Sequence, residues 1–167
     1  MIRPQTACRA AAAAILALSM APSAFAQSGG RNEYAVKFVC GTNARPLSPA
    51  AAAGTYFTGI NIHNPSDAAV PLVHKVALAE PGRPGRPTAI TSPFRLAYDE
   101  AVDIDCAQIA RLLAAGGVAH GPFFTGFYVI QSQTEFDVVA VYTAAATRTG
   151  PVTTIHTERV PVRRRGG

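Results

Sequence analysis

Four acidic residues that lie close together form the densest group of charged side chains in the sequence: Asp99, Glu100, Asp103 and Asp105. Carboxylate oxygens are ligands for calcium, which extracellular modules commonly bind weakly. The spacing does not match an EF-hand loop, and Asp105 is placed to cap a helix. The sequence therefore favours solvated acids near the start of a helix, with a metal-binding or hydrolytic site as the alternative.

The sequence contains four histidines, His63, His74, His120 and His156. Zinc requires three or four ligands close together, and no His-x-x-x-His spacing occurs. His63 and His156 fall at outward positions of predicted strands, where they could meet across a sheet. No serine lies in a Gly-x-Ser-x-Gly elbow, so nothing favours nucleophilic catalysis. We predict no catalytic, metal-binding or cofactor-binding residues, and no cofactor.

The cysteines predict one disulfide bond. Of the three cysteines in the sequence, Cys8 lies in a segment that we expect to be removed, which leaves Cys40 and Cys106. Two cysteines in an exported chain usually pair, because the compartment is oxidising. Two free redox-active thiols are the alternative, but the sequence lacks the Cys-x-x-Cys spacing typical of them.

The first residues have the composition of a secretory signal peptide. A basic start is followed by an apolar run and by Ala24-Phe25-Ala26, which predicts a signal peptide over residues 1–26 and cleavage between Ala26 and Gln27. At roughly a dozen residues the apolar run is too short to span a bilayer, which needs about 20. No later segment predicts a transmembrane span. We therefore expect export to the periplasm or the medium.

Charge and composition divide the rest of the chain into three parts. A flexible leader is predicted at 27–33, one domain at 34–160 and a basic tail at 161–167. The tail holds Arg163, Arg164 and Arg165, and without it and the signal peptide the body is close to neutral. The basic balance is therefore weak evidence for nucleic-acid binding, and we predict no specific nucleic-acid partner. The tail alone could make weak contact with an anionic surface.

The stretch 126–146 is the one around which the predicted fold is organised. Two runs rich in β-branched and aromatic residues flank a short polar break, which predicts an antiparallel hairpin. Val138 and Ala140 point to one face, whereas Val139 and Val141 point to the other. Because both faces are apolar, the pair is expected to lie centrally with both faces covered.

The remaining pattern predicts further strands and a single helix. Strands are predicted at 34–40, 55–64, 70–80 and 152–160, with Ile60 and Ile62 pointing inward. A helix is predicted over Cys106–Ala115, with Asp105 as its N-cap and glycines at its end. Seven or eight short strands and Gly/Pro-rich turns predict an antiparallel β-sandwich, immunoglobulin-like in architecture, although the sequence has no core tryptophan.

Several segments give the sequence a loose resemblance to uncharacterised secreted bacterial β-sandwich domains. These segments are Lys-Phe-Val-Cys-Gly at 37–41, Ile-Asn-Ile-His-Asn-Pro at 60–65, Ile-Asp-Cys at 104–106 and Asp-Val-Val-Ala-Val-Tyr-Thr-Ala at 137–144. The resemblance spans most of the mature chain and implies one secreted domain. Such domains have no established activity, so no catalytic residues carry over.

Together these features predict a non-catalytic exported β-sandwich protein rather than an enzyme. Its expected role is binding or assembly, with another protein or with itself through an apolar sheet face. The alternative is a small secreted metal-binding or hydrolytic protein that uses the Asp99–Asp105 acidic group or surface histidines.

Overall fold

The computed structural model describes residues 32–44, 51–91 and 93–165. The predicted signal peptide (1–26), its cleavage between Ala26 and Gln27, and most of the predicted leader lie outside the described residues. Within them the chain forms nine strands and one helix. They are β1 (Asn32–Asn43), β2 (Gly54–His63), β3 (Val70–Ala79), β4 (Phe94–Leu96), β5 (Ala101–Asp105), α1 (Cys106–Ala115), β6 (Phe123–Ser132), β7 (Asp137–Ala145), β8 (Val152–Arg159) and β9 (Arg163–Arg164).

The nine strands belong to one antiparallel sheet, which is curled into a half-barrel. The strand order is β4-β3-β6-β1-β2-β7-β8, with β5 also beside β2 and β9 also beside β1. The prediction of a mainly antiparallel β fold with one short helix is confirmed. The immunoglobulin-like sandwich is not confirmed, because the strands form a single hydrogen-bonded sheet instead of two separate ones.

Strands β1 and β2 are joined over a short stretch only. These strands pair only between residues 41–43 and 54–56, and beyond that point they diverge. The edge of β1 then rests against side chains of the other half of the sheet. Thr58 Oγ1 accepts a hydrogen bond from the Val39 N–H and donates one to the Val39 carbonyl, both at 3.0 Å. The Tyr142 hydroxyl donates to the Lys37 carbonyl at 3.0 Å, so side chains satisfy the β1 groups that strand pairing leaves free.

The predicted hairpin at 126–146 is wrong in its pairing. Both strands form, but β6 pairs with β1 and β3, whereas β7 pairs with β2 and β8. The intervening residues 133–136 therefore cross from one half of the curled sheet to the other. Tyr34 holds this crossing in place, because its hydroxyl accepts from the Phe136 N–H at 2.8 Å and donates to the Phe136 carbonyl at 3.0 Å.

The core lies inside the curl of the sheet. Alternate residues of β1 and β3 point into it, and Ile60 and Ile62 of β2 are fully buried, as the alternation predicted. On β7, Val138 and Ala140 are buried, whereas Val139 and Val141 are only partly covered. The expectation that both faces of this strand are covered is therefore wrong for the outward face.

Helix α1 closes part of the core and matches its predicted bounds. The Asp105 carboxylate accepts from the Gln108 N–H at 2.7 Å, and the Gln108 side chain accepts from the Asp105 N–H at 3.2 Å. At the other end Gly117 has a φ of 68°, which lets the final amides bond back to carbonyls of the last turn. Ile109 and Leu113 are fully buried, so this face packs into the curl.

The predicted disulfide between Cys40 and Cys106 is confirmed, with a Cα–Cα distance of 5.6 Å. It joins fully buried Cys40 of β1 to the first residue of α1. The Thr58 N–H donates to the Cys106 sulfur at 3.2 Å. The disulfide therefore fixes the start of α1 at the place where β1 and β2 separate.

Strands are observed on both sides of the predicted domain bounds, 34 and 160. β1 begins at Asn32, which is buried, so the end of the predicted leader belongs to the first strand. The described part of the basic tail is attached rather than free, because β9 pairs with residues 32–33 of β1. Arg164 forms an ion pair with Glu135, and Arg165 Nε lies 3.7 Å from Glu33. Carboxylates at the end of the sheet therefore attract the basic residues.

Replacing a buried tyrosine by phenylalanine is expected to affect the free energy of unfolding differently at positions 34 and 128. The Tyr34 hydroxyl makes two hydrogen bonds, whereas the buried Tyr128 hydroxyl has no partner among the described residues, and burial raises its pKa. We expect Tyr34→Phe to lower the free energy of unfolding by about 1–3 kcal/mol, and Tyr128→Phe to leave it unchanged or raise it by up to ~1 kcal/mol. Urea unfolding of both variants measures this. An equal loss in both would contradict it.

Candidate functional site

The acidic residues singled out in the sequence do not converge. Asp105 caps α1, and Glu100 accepts a hydrogen bond from the Ala97 N–H at 2.7 Å, which closes a turn. Asp103 lies on β5 opposite Asn61. No group of three or more potential metal ligands exists in the part of the chain that the structure describes. Asp105 and Glu100 are used in local structure and Asp103 lies on β5, so the structure does not assemble the calcium site considered from the sequence.

The remaining acid of that group, Asp99, contacts His63. The His63 Nε2 atom lies 2.9 Å from Asp99, and its Nδ1 atom lies 3.5 Å from Asp137, which also binds Arg159 at 2.7 Å. The hydrogen bond to Asp99 is the main cause that raises the His63 pKa above its ordinary value. These exposed charges link β2, β7 and β8 to the turn before β5. An exposed ion-pair network of this kind is a surface connection between strands.

The other histidines stack on aromatic rings. His156 stacks on Tyr142 with ring centres 6.0 Å apart, and His74 is buried against Tyr128 at 5.1 Å. Burial lowers the His74 pKa, so the imidazole is neutral in the core. His120 packs on an aromatic ring near the start of β6. His63 and His156, which the sequence allowed to meet across a sheet, do not meet, because His63 lies opposite Asp137 and His156 lies opposite Tyr142 further along β7.

Among the described residues, β8 is the longest strand in which every residue is exposed. It pairs with β7 on one side only and forms an edge of the sheet. All eight of its residues are exposed, which means that neither of its faces is covered. Its outer edge therefore presents unpaired backbone N–H and C=O groups along a strand of ordinary length.

An apolar surface runs from the sheet to this edge. The strand register places Phe57 of β2, Thr143 of β7 and Ile155 of β8 in one row on the outward face. Phe57 is 47% exposed and Ile155 is 69% exposed, although both are large apolar side chains. The next row contains Val141 and Thr157. We call these residues the β8 surface: Phe57, Val141, Thr143, Ile155 and Thr157.

The opposite face of β8 is fixed to the fold through Tyr142. Its hydroxyl lies 3.3 Å from the Glu158 carboxylate, in addition to its bond to the backbone of β1. Burial, followed by the neighbouring Glu158 charge, raises the Tyr142 pKa to about 12. The phenol therefore stays protonated at neutral pH, and its O–H group remains available to donate a hydrogen bond. This contact holds the edge strand in place while its outer face remains open.

Sequence reasoning found the strand β8 but not its position. The run at 152–160 predicted a strand, and Val139 and Val141 indicated a second apolar face. Which strand forms the sheet edge depends on pairings between distant segments. No local signal in the sequence specifies those pairings.

Comparison with known proteins does not identify a function for this chain. No protein-family model matches the sequence, and no curated protein matches it either. Among solved structures the chain is similar to Thermotoga maritima 1070, at 8% identity over 80% of this chain and 94% of that chain, with a TM-score of 0.49. The helix of the described residues is neither long nor apolar enough to cross a membrane.

Proposed function

We propose that the chain is an exported, non-catalytic structural protein that assembles with a second copy of itself through the edge of β8. The observation that carries the proposal is this edge strand, whose eight residues are all exposed while an apolar row reaches it from the sheet. Addition of a strand to an open edge satisfies the free backbone groups and buries the neighbouring side chains. Asp99, Glu100, Asp105 and the four histidines already have structural partners.

Export is supported by two independent features. The sequence starts with the composition of a cleaved signal peptide, and the Cys40–Cys106 disulfide is typical of oxidising compartments. A structural role outside the cytoplasm is consistent with both.

The composition of β8 favours a second copy as the occupant. The strand has no lysine and no proline, the residues that commonly protect sheet edges from pairing. Its two charged residues are Glu158 and Arg159, and their charges have opposite signs. In an antiparallel pair centred on His156, Glu158 faces Thr154 and Arg159 faces Thr153 of the second copy. Like carboxylates or guanidinium groups are therefore not opposed.

The apolar row is also self-complementary under two-fold symmetry. The same surface patch serves on both partners of a symmetric dimer. Pairing at the β8 edge brings the two Ile155 side chains onto one continuous face, with Phe57 behind each of them in the row. At the seam the Ile155 side chain of each copy lies beside Thr157 of the other, which removes part of the apolar surface of Ile155 from water.

The test is the oligomeric state of the purified, disulfide-bonded chain. We expect light scattering after size exclusion to give a dimer for the wild type and a monomer for Ile155→Lys, because the new charge lies at the paired edge. Ile90→Lys is the matched control, since Ile90 is a similarly exposed isoleucine (54%) outside β8. It should remain a dimer.

Two results would overturn this proposal. One is a wild-type chain that remains monomeric, which would leave a different protein as the only strand-adding partner. The other is an Ile155→Lys variant that dimerises as strongly as Ile90→Lys.

A further inference from the structure

A groove separate from the β8 surface lies where four neighbouring strands meet. It has a volume of about 510 Å³, and its lining includes Lys37 and Val39 of β1, Tyr56 of β2, Ala79 of β3 and Phe123 of β6. The rings of Tyr56 and Phe123 pack edge to face at 5.6 Å and form one wall. A cleft of this size is within the range that small-molecule sites occupy.

The one lysine in this lining has no carboxylate partner. All ten acidic residues of the sequence lie in the described part of the chain, and none forms an ion pair with Lys37. The Lys37 ammonium instead lies 5.2 Å from the centre of the Phe127 ring. Partial burial lowers the Lys37 pKa, because desolvation disfavours the charged amine. A bound anion would offset that desolvation.

The other charged residue of the lining is already paired. Glu80 forms an ion pair with Arg83, which lies three residues further along the chain. Its charge is therefore balanced at the rim, and Lys37 is the charge that an incoming ligand meets. The groove thus combines one available cation with aromatic and aliphatic walls.

We propose that this groove binds an apolar molecule that carries a single carboxylate, with the carboxylate at Lys37 and the apolar body against Tyr56 and Phe123. A cationic ligand would meet the repulsion of the ammonium, and a neutral one would leave the ammonium desolvated without a partner. A dianion would find only one cation. This inference is independent of assembly through β8, because the two sites share no residues.

Octanoate and octanol test this assignment, because they have similar apolar bodies and differ in charge. At pH 8 calorimetry should show octanoate binding at least tenfold more tightly than octanol, a difference of about 1.4 kcal/mol that matches a charge-assisted hydrogen bond. Lys37→Met should remove this preference by weakening octanoate binding at least tenfold. Lys75→Met is the control, since Lys75 is the other lysine of the chain and does not line the groove. It should bind octanoate as the wild type does.

A second variant tests the groove without touching the lysine. Ala79→Trp should fill the cleft and abolish octanoate binding, while circular dichroism reports the same folded sheet. The proposal is overturned if the wild type does not bind octanoate, if octanol binds equally well, or if Lys37→Met keeps the wild-type affinity. Equal losses in Lys37→Met and Lys75→Met would also overturn it, because they would indicate general attraction of anions.

Discussion

Replacing both disulfide cysteines, by Cys40→Ala and Cys106→Ala, is expected to lower the free energy of unfolding by about 4 kcal/mol. The bond joins residues 66 positions apart, so its loss releases a long loop in the unfolded chain. The folded state gains nothing in return, because Cys40 is fully buried and its truncation leaves a small void beside α1. This loss is a large fraction of the stability of an ordinary domain.

Urea unfolding of the wild type and the double variant measures the difference. Reductant supplies the control, because it should destabilise the wild type and leave the double variant unchanged. If the oxidised wild type and the double variant unfolded at the same urea concentration, the disulfide would not constrain the chain.

Replacing Asn64 by the isosteric aspartate is expected to cost about 3–5 kcal/mol. The buried Asn64 amide nitrogen donates to the carbonyls of Ala68, Leu96 and Ala97 at 2.8, 3.0 and 2.9 Å. Its side-chain oxygen accepts from the Ser66 N–H at 3.1 Å. Asn64→Asp keeps the shape but removes the donors, and it places a negative charge against three carbonyl oxygens.

Thermal and urea unfolding of Asn64→Asp measure this loss. Asn61→Asp is the matched control, because Asn61 is an exposed asparagine on β2, the strand that ends just before Asn64, and we expect a loss below about 1 kcal/mol there. Burial should raise the pKa of the introduced carboxyl, so the loss at position 64 should shrink as the pH falls and that group protonates. Equal losses at positions 61 and 64 would contradict the role assigned to the amide.

Local signals in the sequence predicted the elements that depend on neighbouring residues. Asp105 and Gln108 cap a helix through atoms three residues apart, so the start of α1 could be read from the sequence. The alternation around Ile60 and Ile62 depends on strand geometry alone, and both are buried. The disulfide followed from the number of cysteines left for an oxidising compartment.

Features that depend on distant pairings could not be read in this way. A short polar break between two apolar strands is compatible with a hairpin and with a crossing between sheet halves. The crossing depends on pairings with other strands and on Tyr34, which lies 102 residues from Phe136. The attachment of the basic tail depends in the same way on Glu33 and Glu135. Each is a contact between segments that the sequence places far apart.

The candidate sites were missed for the same reason. The β8 surface combines Phe57 with Ile155, and the groove combines Lys37 with Tyr56 and Phe123. None of these sets has a characteristic spacing in the sequence. The acids and histidines that do stand out are used for a helix cap, a turn, an ion-pair network and aromatic stacking.

The position of β1 has a consequence for the kinetics of folding. This strand is made early, yet its main partner β6 and its short partner β9 are made much later. Contacts between such distant segments close slowly, because the loop entropy is lost before the contacts form. Refolding is therefore expected in milliseconds to seconds. Until β6 is made, β1 exposes the apolar side chains that later enter the core, and such exposed surface favours aggregation.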